Sequence, residues 1–437
     1  MADAEIGGAP ALNPRIPEQL NTNLSAAQPV LVPPRAFAAL SNPSYRVYFL
    51  CASAAVMADN IEHVISYWVI FEKFHSAALA GFAVISHWVP FLLLAGYTGA
   101  LADRFDIRRL IQLGMALFMA VSICWGVMFY TDSVVLWKAM ALLVVHGVAG
   151  VIWIPASQVL INRIVGPTLL PSAVRMTATG RYLGFVVGPA VGSGLMLLFG
   201  PTMGIFINAA IYAPLFIWLI RAPFGQAIEK LPGTSPPLRG LRDILATMRV
   251  VATDRVLLSV TILAGATSFF IGNSYQAQMP RFAFDLGHGR ADFSYSVLLA
   301  ADAAGGLIGG LILESRGLLR PKVSSAYLLA IAWCLALAVF ALSESYLLAI
   351  AVLFAAGFLE LSFNAMAQTL VQLKAPAAIR GRVIGVFTMS GYGLRTFSGL
   401  NVGLLGAAIG VHRSLACSAL ILCSLLAVIF LTRARAT

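Results

Sequence analysis

Asp59, Glu62 and His63 lie within an apolar stretch near residues 45–70, at spacings of three and four that put them on one helical face. Carboxylates beside an imidazole can take up and release a proton inside a membrane, which makes Asp59, Glu62 and His63 candidates for proton coupling. Asp59 and His63 at i, i+4 also offer oxygen and nitrogen to a metal ion. Spacing identifies no third ligand, so no metal is expected. The alternative is a fixed Asp59–His63 pair holding its helix against a neighbour. Asp302, Glu360 and Arg395 also fall inside apolar stretches. An ionisable group at mid-bilayer costs at least about 2.5–3.5 kcal/mol to insert, so it faces the protein interior and finds a partner. For Arg395 the candidates are Glu360 and Asp302, either as a structural ion pair or as part of substrate recognition.

Helices that cross a bilayer must position these groups. The chain has 437 residues, 59% hydrophobic and 11% charged, with a mean hydropathy of +0.87. Soluble domains carry about 25% charged residues. That contrast excludes a soluble enzyme, a fibrous protein and a disordered one. Twelve apolar spans are expected near 45–70, 77–101, 108–130, 134–158, 172–198, 201–220, 255–280, 291–313, 323–342, 345–371, 383–405 and 409–432. The fold class is therefore an all-α membrane protein. Residues 1–42 show neither helical periodicity nor a signal-peptide pattern and read as a disordered tail. Two six-helix bundles, 43–221 and 255–432, flank a polar central loop at 222–254, and 433–437 form a short tail.

The net charge of +11 suits membrane orientation better than nucleic-acid binding, because 22 of the 29 lysines and arginines fall on one side of the twelve spans. By the positive-inside rule both termini and the central loop are cytoplasmic. Cys51, Cys124, Cys334, Cys417 and Cys423 all lie in apolar stretches without metal-ligand spacing and read as buried apolar side chains. No nucleotide-binding fingerprint and no His-Glu-x-x-His or Gly-x-Ser-x-Gly motif occurs, so neither a cofactor nor an enzymatic reaction is expected.

The halves read as repeats. Gly99, Asp103 and Arg109 follow the second span, and Gly310, Glu314 and Arg320 follow the eighth at a shared offset of 211 residues. Gly99-Ala-Leu-Ala-Asp103-Arg104, continuing to Arg108 and Arg109, resembles the signature loop of the major facilitator superfamily. In span five, Gly184, Gly188, Pro189 and Gly192 resemble the antiporter motif of drug exporters in that superfamily, with Ser193 in place of its last glycine. The same glycines also suit plain close helix packing, and the sequence does not separate the two readings. Gln368 through Val383, Pro280 through Gly287, and Gly305-Gly306 with Gly309-Gly310 are similar to a bacterial branch of enterobactin-exporter-like and macrolide-efflux-like proteins. The resemblance covers roughly residues 43–432.

The resemblance implies two pseudo-symmetric six-helix bundles in a bacterial cytoplasmic membrane, working as a monomer by alternating access. Spans one, four, seven and ten would line a central cavity, which adds Glu360 to the proton-coupling candidates. Gly99, Asp103, Arg104, Arg108 and Arg109 would form a conformational latch. Glu314 and Arg320 would form its second-half counterpart, a weaker one because Glu314-Ser315 replaces aspartate–arginine. Tyr275 and Asn364 are candidate cavity liners, while His146, Trp153 and the pair His87–Trp88 read first as packing. The expected function is proton-coupled efflux of a small amphipathic molecule, with import by the same fold, metal export and a non-transporting membrane enzyme or receptor as alternatives. The expected partners are that substrate, protons and the lipid bilayer.

Overall fold

The computed structural model describes residues 36–74, 77–224, 241–272, 274–287, 294–316, 321–398, 406 and 408–434. Among these the regular elements are all helical. Helix α1 (Pro43–Phe74) opens on a proline, whose missing N–H costs nothing at a first helical position. Helix α2 (Ala77–Arg104) runs through Pro90. Helix α3 (Ile107–Tyr130) starts where the Asp106 side chain accepts the Arg108 backbone N–H. Burial works against the Asp106 charge, but side-chain and backbone bonds from Arg108 hold its carboxyl below the usual carboxylate range.

One helical stretch, Leu136–Arg221, is broken twice by backbone outside the helical region, at Gly166 (φ 68°) and Gly200 (φ 76°). A side chain at either glycine would meet nothing within 4 Å, so the demand is for positive φ and not for space. Each glycine precedes a proline, Pro167 or Pro201, that starts the next helix. The stretch is therefore α4 (136–165), α5 (167–199) and α6 (201–221).

In the second half, α7 (Arg255–Phe270) is capped by Asp254 and prolonged by two short helical pieces, Ser274–Ala277 and Met279–Asp285. It is followed by α8 (Ser294–Ser315), α9 (Val323–Leu342) and α10 (Tyr346–Lys374). Helix α11 (380–398) contains a π-helical turn at Met389–Gly393, and α12 (Val411–Ala434) ends the chain's helices. Eight described stretches are long and apolar enough to span a membrane. The broken stretch supplies three of the helices. With α1, whose apolar run Asp59 and Glu62 interrupt, and α11, the described residues build twelve. Large apolar side chains point outward along them, as at Leu197 (83% exposed) and Leu347 (76%). Water would penalise such a surface, whereas lipid solvates it.

The glycine stripe of α5 seats α1. A Cβ on Gly188 would lie 2.6 Å from the Asn60 Cβ, and Gly184 and Gly192 meet Val56 and Ile61 of the same helix. The stripe that resembles the antiporter motif therefore brings the α1 backbone close to α5. Gly188→Leu is expected to lower the thermal unfolding midpoint of the detergent-extracted protein by several degrees, because overpacking costs about 1–3 kcal/mol.

The two halves meet at the end that carries most of the arginines. The Asp103 carboxylate accepts backbone N–H groups of Gly381 (2.5 Å) and Arg382 (2.9 Å), capping the positive N-terminus of α11. Gly99, Gly381 and Gly385 let α2 and α11 touch backbone to backbone. On the other flank, Arg175 of α5 pairs with Glu314 of α8 at 2.7 Å, and Ser172 donates to the same carboxylate.

Several expectations change. The tail expected over residues 1–42 holds structure at its end, where Ala38–Ser41 forms a 3-10 turn whose Ala39 N–H donates to Ser172. The 222–254 segment contains a helix, Leu241–Thr253, whose Asp243 pairs with Arg104 at 3.6 Å. Of the cysteines, only Cys334 is buried, Cys51 and Cys423 are half-buried, and Cys124 and Cys417 are exposed.

Candidate functional site

Two polar clusters and a bridge between them occupy the bundle interior. In the first half, His146 of α4 lies between two acids of α1. Its Nδ1 is 2.8 Å from Glu62 and its Nε2 is 2.8 Å from Asp59. Glu62 is 2% exposed, and its second carboxylate oxygen accepts from Ser122 of α3, which in turn accepts from Asn208 of α6. Both Glu62 oxygens are thus engaged, and α1, α3, α4 and α6 are tied together.

Asp59 therefore pairs with His146, and not with His63 as the i, i+4 spacing suggested. The His63 ring instead packs against Tyr67 (5.1 Å), His87 (5.1 Å) and His146 (4.8 Å). Nitrogen donors of His63, His87 and His146, from α1, α2 and α4, lie within 4.8 Å of one another. Spacing along one helix could not bring these three rings together, because they come from helices far apart in sequence. His87 Nδ1 is buried without a hydrogen-bond partner.

In the second half, α8 and α10 approach backbone to backbone at Gly305 and Gly357, where any side chain would overlap the facing carbonyl of Phe354 or Asp302. This contact sets Asp302 of α8 beside Glu360 of α10. The Tyr275 hydroxyl joins them, 3.0 Å from Asp302 and 3.3 Å from Glu360, and the Gln276 amide donates to Asp302 at 3.0 Å. Asp302 is 2% exposed, and its other oxygen has no partner. A hydroxyl has one proton to donate. Both contacts are hydrogen bonds only when one of the two acids carries a proton.

Tyr275 is fully buried, with its hydroxyl set between the two acids. Asn364 is half-buried on α10. Arg395 forms an ion pair with neither Asp302 nor Glu360. Its guanidinium lies over the rings of Trp88 (5.0 Å) and Tyr392 (4.9 Å), and its Nε donates to the Gly391 carbonyl. Trp88 of α2 stacks on Tyr392 of α11 at 5.9 Å and 12°, and Arg181 of α5 donates to the Tyr392 hydroxyl. This bridge between the halves sits at the π-helical turn, where the helical ladder is re-aimed. The sequence reading missed Arg181 and Tyr392. An arginine well inside span five was a usable signal for the first, and nothing marked the second.

Within the expected latch, Gly99 and Asp103 face α11. Arg108 donates to the Ala222 carbonyl at the end of α6 and pairs with Asp106 at 2.8 Å, and Arg109 donates to Gln112. Arg320 lies outside the described residues. The second-half counterpart is not a copy of the first: Glu314 is fully buried and neutralised by Arg175, whereas Asp103 accepts from backbone.

The profile of a family described as transmembrane secretion effectors matches residues 34–437. The chain belongs to this family of the major facilitator superfamily. Among its curated relatives, the multidrug efflux pump Tap of Mycobacterium tuberculosis is 26% identical over 85% of this chain and 88% of its own length. The enterobactin exporter EntS of Shigella boydii is 24% identical over 80% and 82%. The staphyloferrin A transporter of Staphylococcus aureus is 20% identical over 61% and 66%.

Solved structures agree on the fold. The human organic anion transporter MFSD10 superposes with a TM-score of 0.69 at 14% identity, covering 87% of this chain and 98% of that one. An outward-facing bacterial homologue of the iron transporter ferroportin gives 0.67 at 15%, over 89% and 98%. This major facilitator protein is thus a multi-pass membrane transporter, and family and fold point away from an enzyme.

Proposed function

We propose that this transporter exports a small amphipathic molecule in exchange for protons. The observation that carries the reading is the Asp302–Tyr275–Glu360 cluster, a buried acid and a half-buried one around one hydroxyl proton. Like charges so placed resist joint ionisation, so the pair holds a proton until an opposing charge or water replaces it. Tyr182 and Arg181 of α5 and Arg395 of α11 are the titratable and charged groups that face the pair from the other helices. A substrate drawn into the gap between the halves meets these acids, two arginines, and the Trp88 and Tyr392 rings. That lining favours a molecule with an aromatic or apolar body and polar substituents. The names of the relatives, a drug pump and two siderophore transporters, support the same class of cargo.

The arginine-rich end is the cytoplasmic one, which leaves both termini in the cytoplasm of a bacterial cell and the protein in its inner membrane. With Asp103 capping α11 and Arg175 holding Glu314, that end is shut, and the bundle faces outward. One chain carries both acids, the bridge and both latches, so the unit of function is a monomer. Comparing compounds retained by cells with and without the protein identifies the cargo, and repeating it with the proton gradient collapsed tests the coupling. The expected result is selective retention of one compound class in the deleted cells, with wild-type cells matching them once the gradient is gone. Equal retention in both strains would count against export.

A further inference from the structure

We infer that the first half of the bundle binds one divalent first-row transition metal ion, zinc before the others, through His63, His87 and His146 with Asp59 as the fourth ligand. The inference goes beyond the proposed efflux and does not depend on the acids of the second half. Three imidazoles from three helices converge with donor atoms within 4.8 Å of one another. A tetrahedral site with metal–nitrogen bonds of about 2.0–2.1 Å needs nitrogens about 3.3 Å apart, a change within reach of side-chain rotation. Three nitrogens and one carboxylate oxygen suit zinc, and cobalt and nickel after it.

The surroundings are built as metal sites are. Glu62 lies 2.8 Å from His146 Nδ1 and is itself fixed by Ser122. A carboxylate that accepts Nδ1–H presents the Nε2 lone pair to a metal, and such partners orient the ring and raise its basicity. Nε2 is the atom that meets Asp59, at 2.8 Å, so an ion inserted there has the imidazole on one side and the carboxylate on the other. His87 Nδ1 supplies a second, independent sign, because it is buried without any partner. Buried polar atoms left unpaired are uncommon, and coordination removes the deficit. The Phe118 ring, edge-on to His146 at 4.8 Å, closes one side of the cluster with apolar surface.

Untagged protein in lipid nanodiscs, titrated separately with zinc and cobalt salts, tests this. The expected result is one ion per chain and, with cobalt, the intense visible absorption of four-coordinate geometry. His63→Asn and His87→Asn should each weaken binding at least about tenfold, or 1.4 kcal/mol. Their thermal unfolding midpoints, measured alongside, identify any variant that fails to fold, and the wild-type cobalt spectrum stands without either variant. No bound ion, a weak six-coordinate cobalt spectrum, or unchanged binding in both folded variants would overturn the inference. Efflux of the organic cargo is measured separately in cells without chelator, so its absence there would speak against the transport reading and leave the metal site standing.

Discussion

Asp302→Asn and Glu360→Gln are each expected to cut gradient-driven efflux at least about tenfold, with substrate exchange at zero gradient close to wild type. The amides imitate a permanently protonated acid. Asparagine at 302 can still accept from Tyr275 and Gln276, so the contact between α7, α8 and α10 survives. What disappears is the choice between two protonation states, which links the proton to the turn of the cycle. The bundle can still change access with cargo bound, and exchange persists. Uptake into everted vesicles, with and without a pH gradient, separates the two outcomes. Loss of exchange together with driven transport would mean that Asp302 and Glu360 only support the fold.

Arg175→Met is expected to open the arginine-rich end. Glu314 is fully buried, with Arg175 at 2.7 Å and Ser172 as its only other partner among the described residues. Removing one member of a buried pair costs about 3–5 kcal/mol, because the remaining charge is stranded. That cost falls on the closed arrangement, since parting α5 from α8 would let water reach Glu314. The population then shifts toward the other access state by roughly 150- to 5,000-fold. Thr369, 2% exposed beside this contact, is a suitable reporter. In a background free of native cysteines, Thr369→Cys should react slowly with a thiol reagent when Arg175 is present and far faster when it is methionine. Adding Glu314→Met should restore slow labelling, because a buried pair exchanged for apolar side chains is often neutral or better. Equal labelling in all three proteins would remove the latch from the account.

Much of the architecture was legible from length and hydropathy, because lipid leaves a spanning backbone few options and most spans announce themselves by composition. The helix breaks at Gly166-Pro167 and Gly200-Pro201 follow from two residues whose backbone preferences are strong. Asp59, Glu62, Asp302 and Glu360 were visible as acids in apolar runs, since such residues are expensive wherever they occur. Their partners were not visible. His146 lies 87 residues from Asp59, and which face of α4 turns toward α1 depends on packing that spacing along one helix does not encode. The same limit explains Arg395, whose guanidinium lies over rings of α2 and α11 and forms no ion pair with the acids of its own half. Tyr392 carried no signal, because its position follows from a π-helical turn in α11.

The central claim, exchange of cargo for protons by one alternating-access chain, is tested most directly in proteoliposomes holding the purified protein and the compound identified by the retention comparison. Imposing a pH gradient should drive the compound toward the acidic side, and reversing the gradient should reverse the direction of flux. Flux of the same size and direction under both gradients would contradict the account.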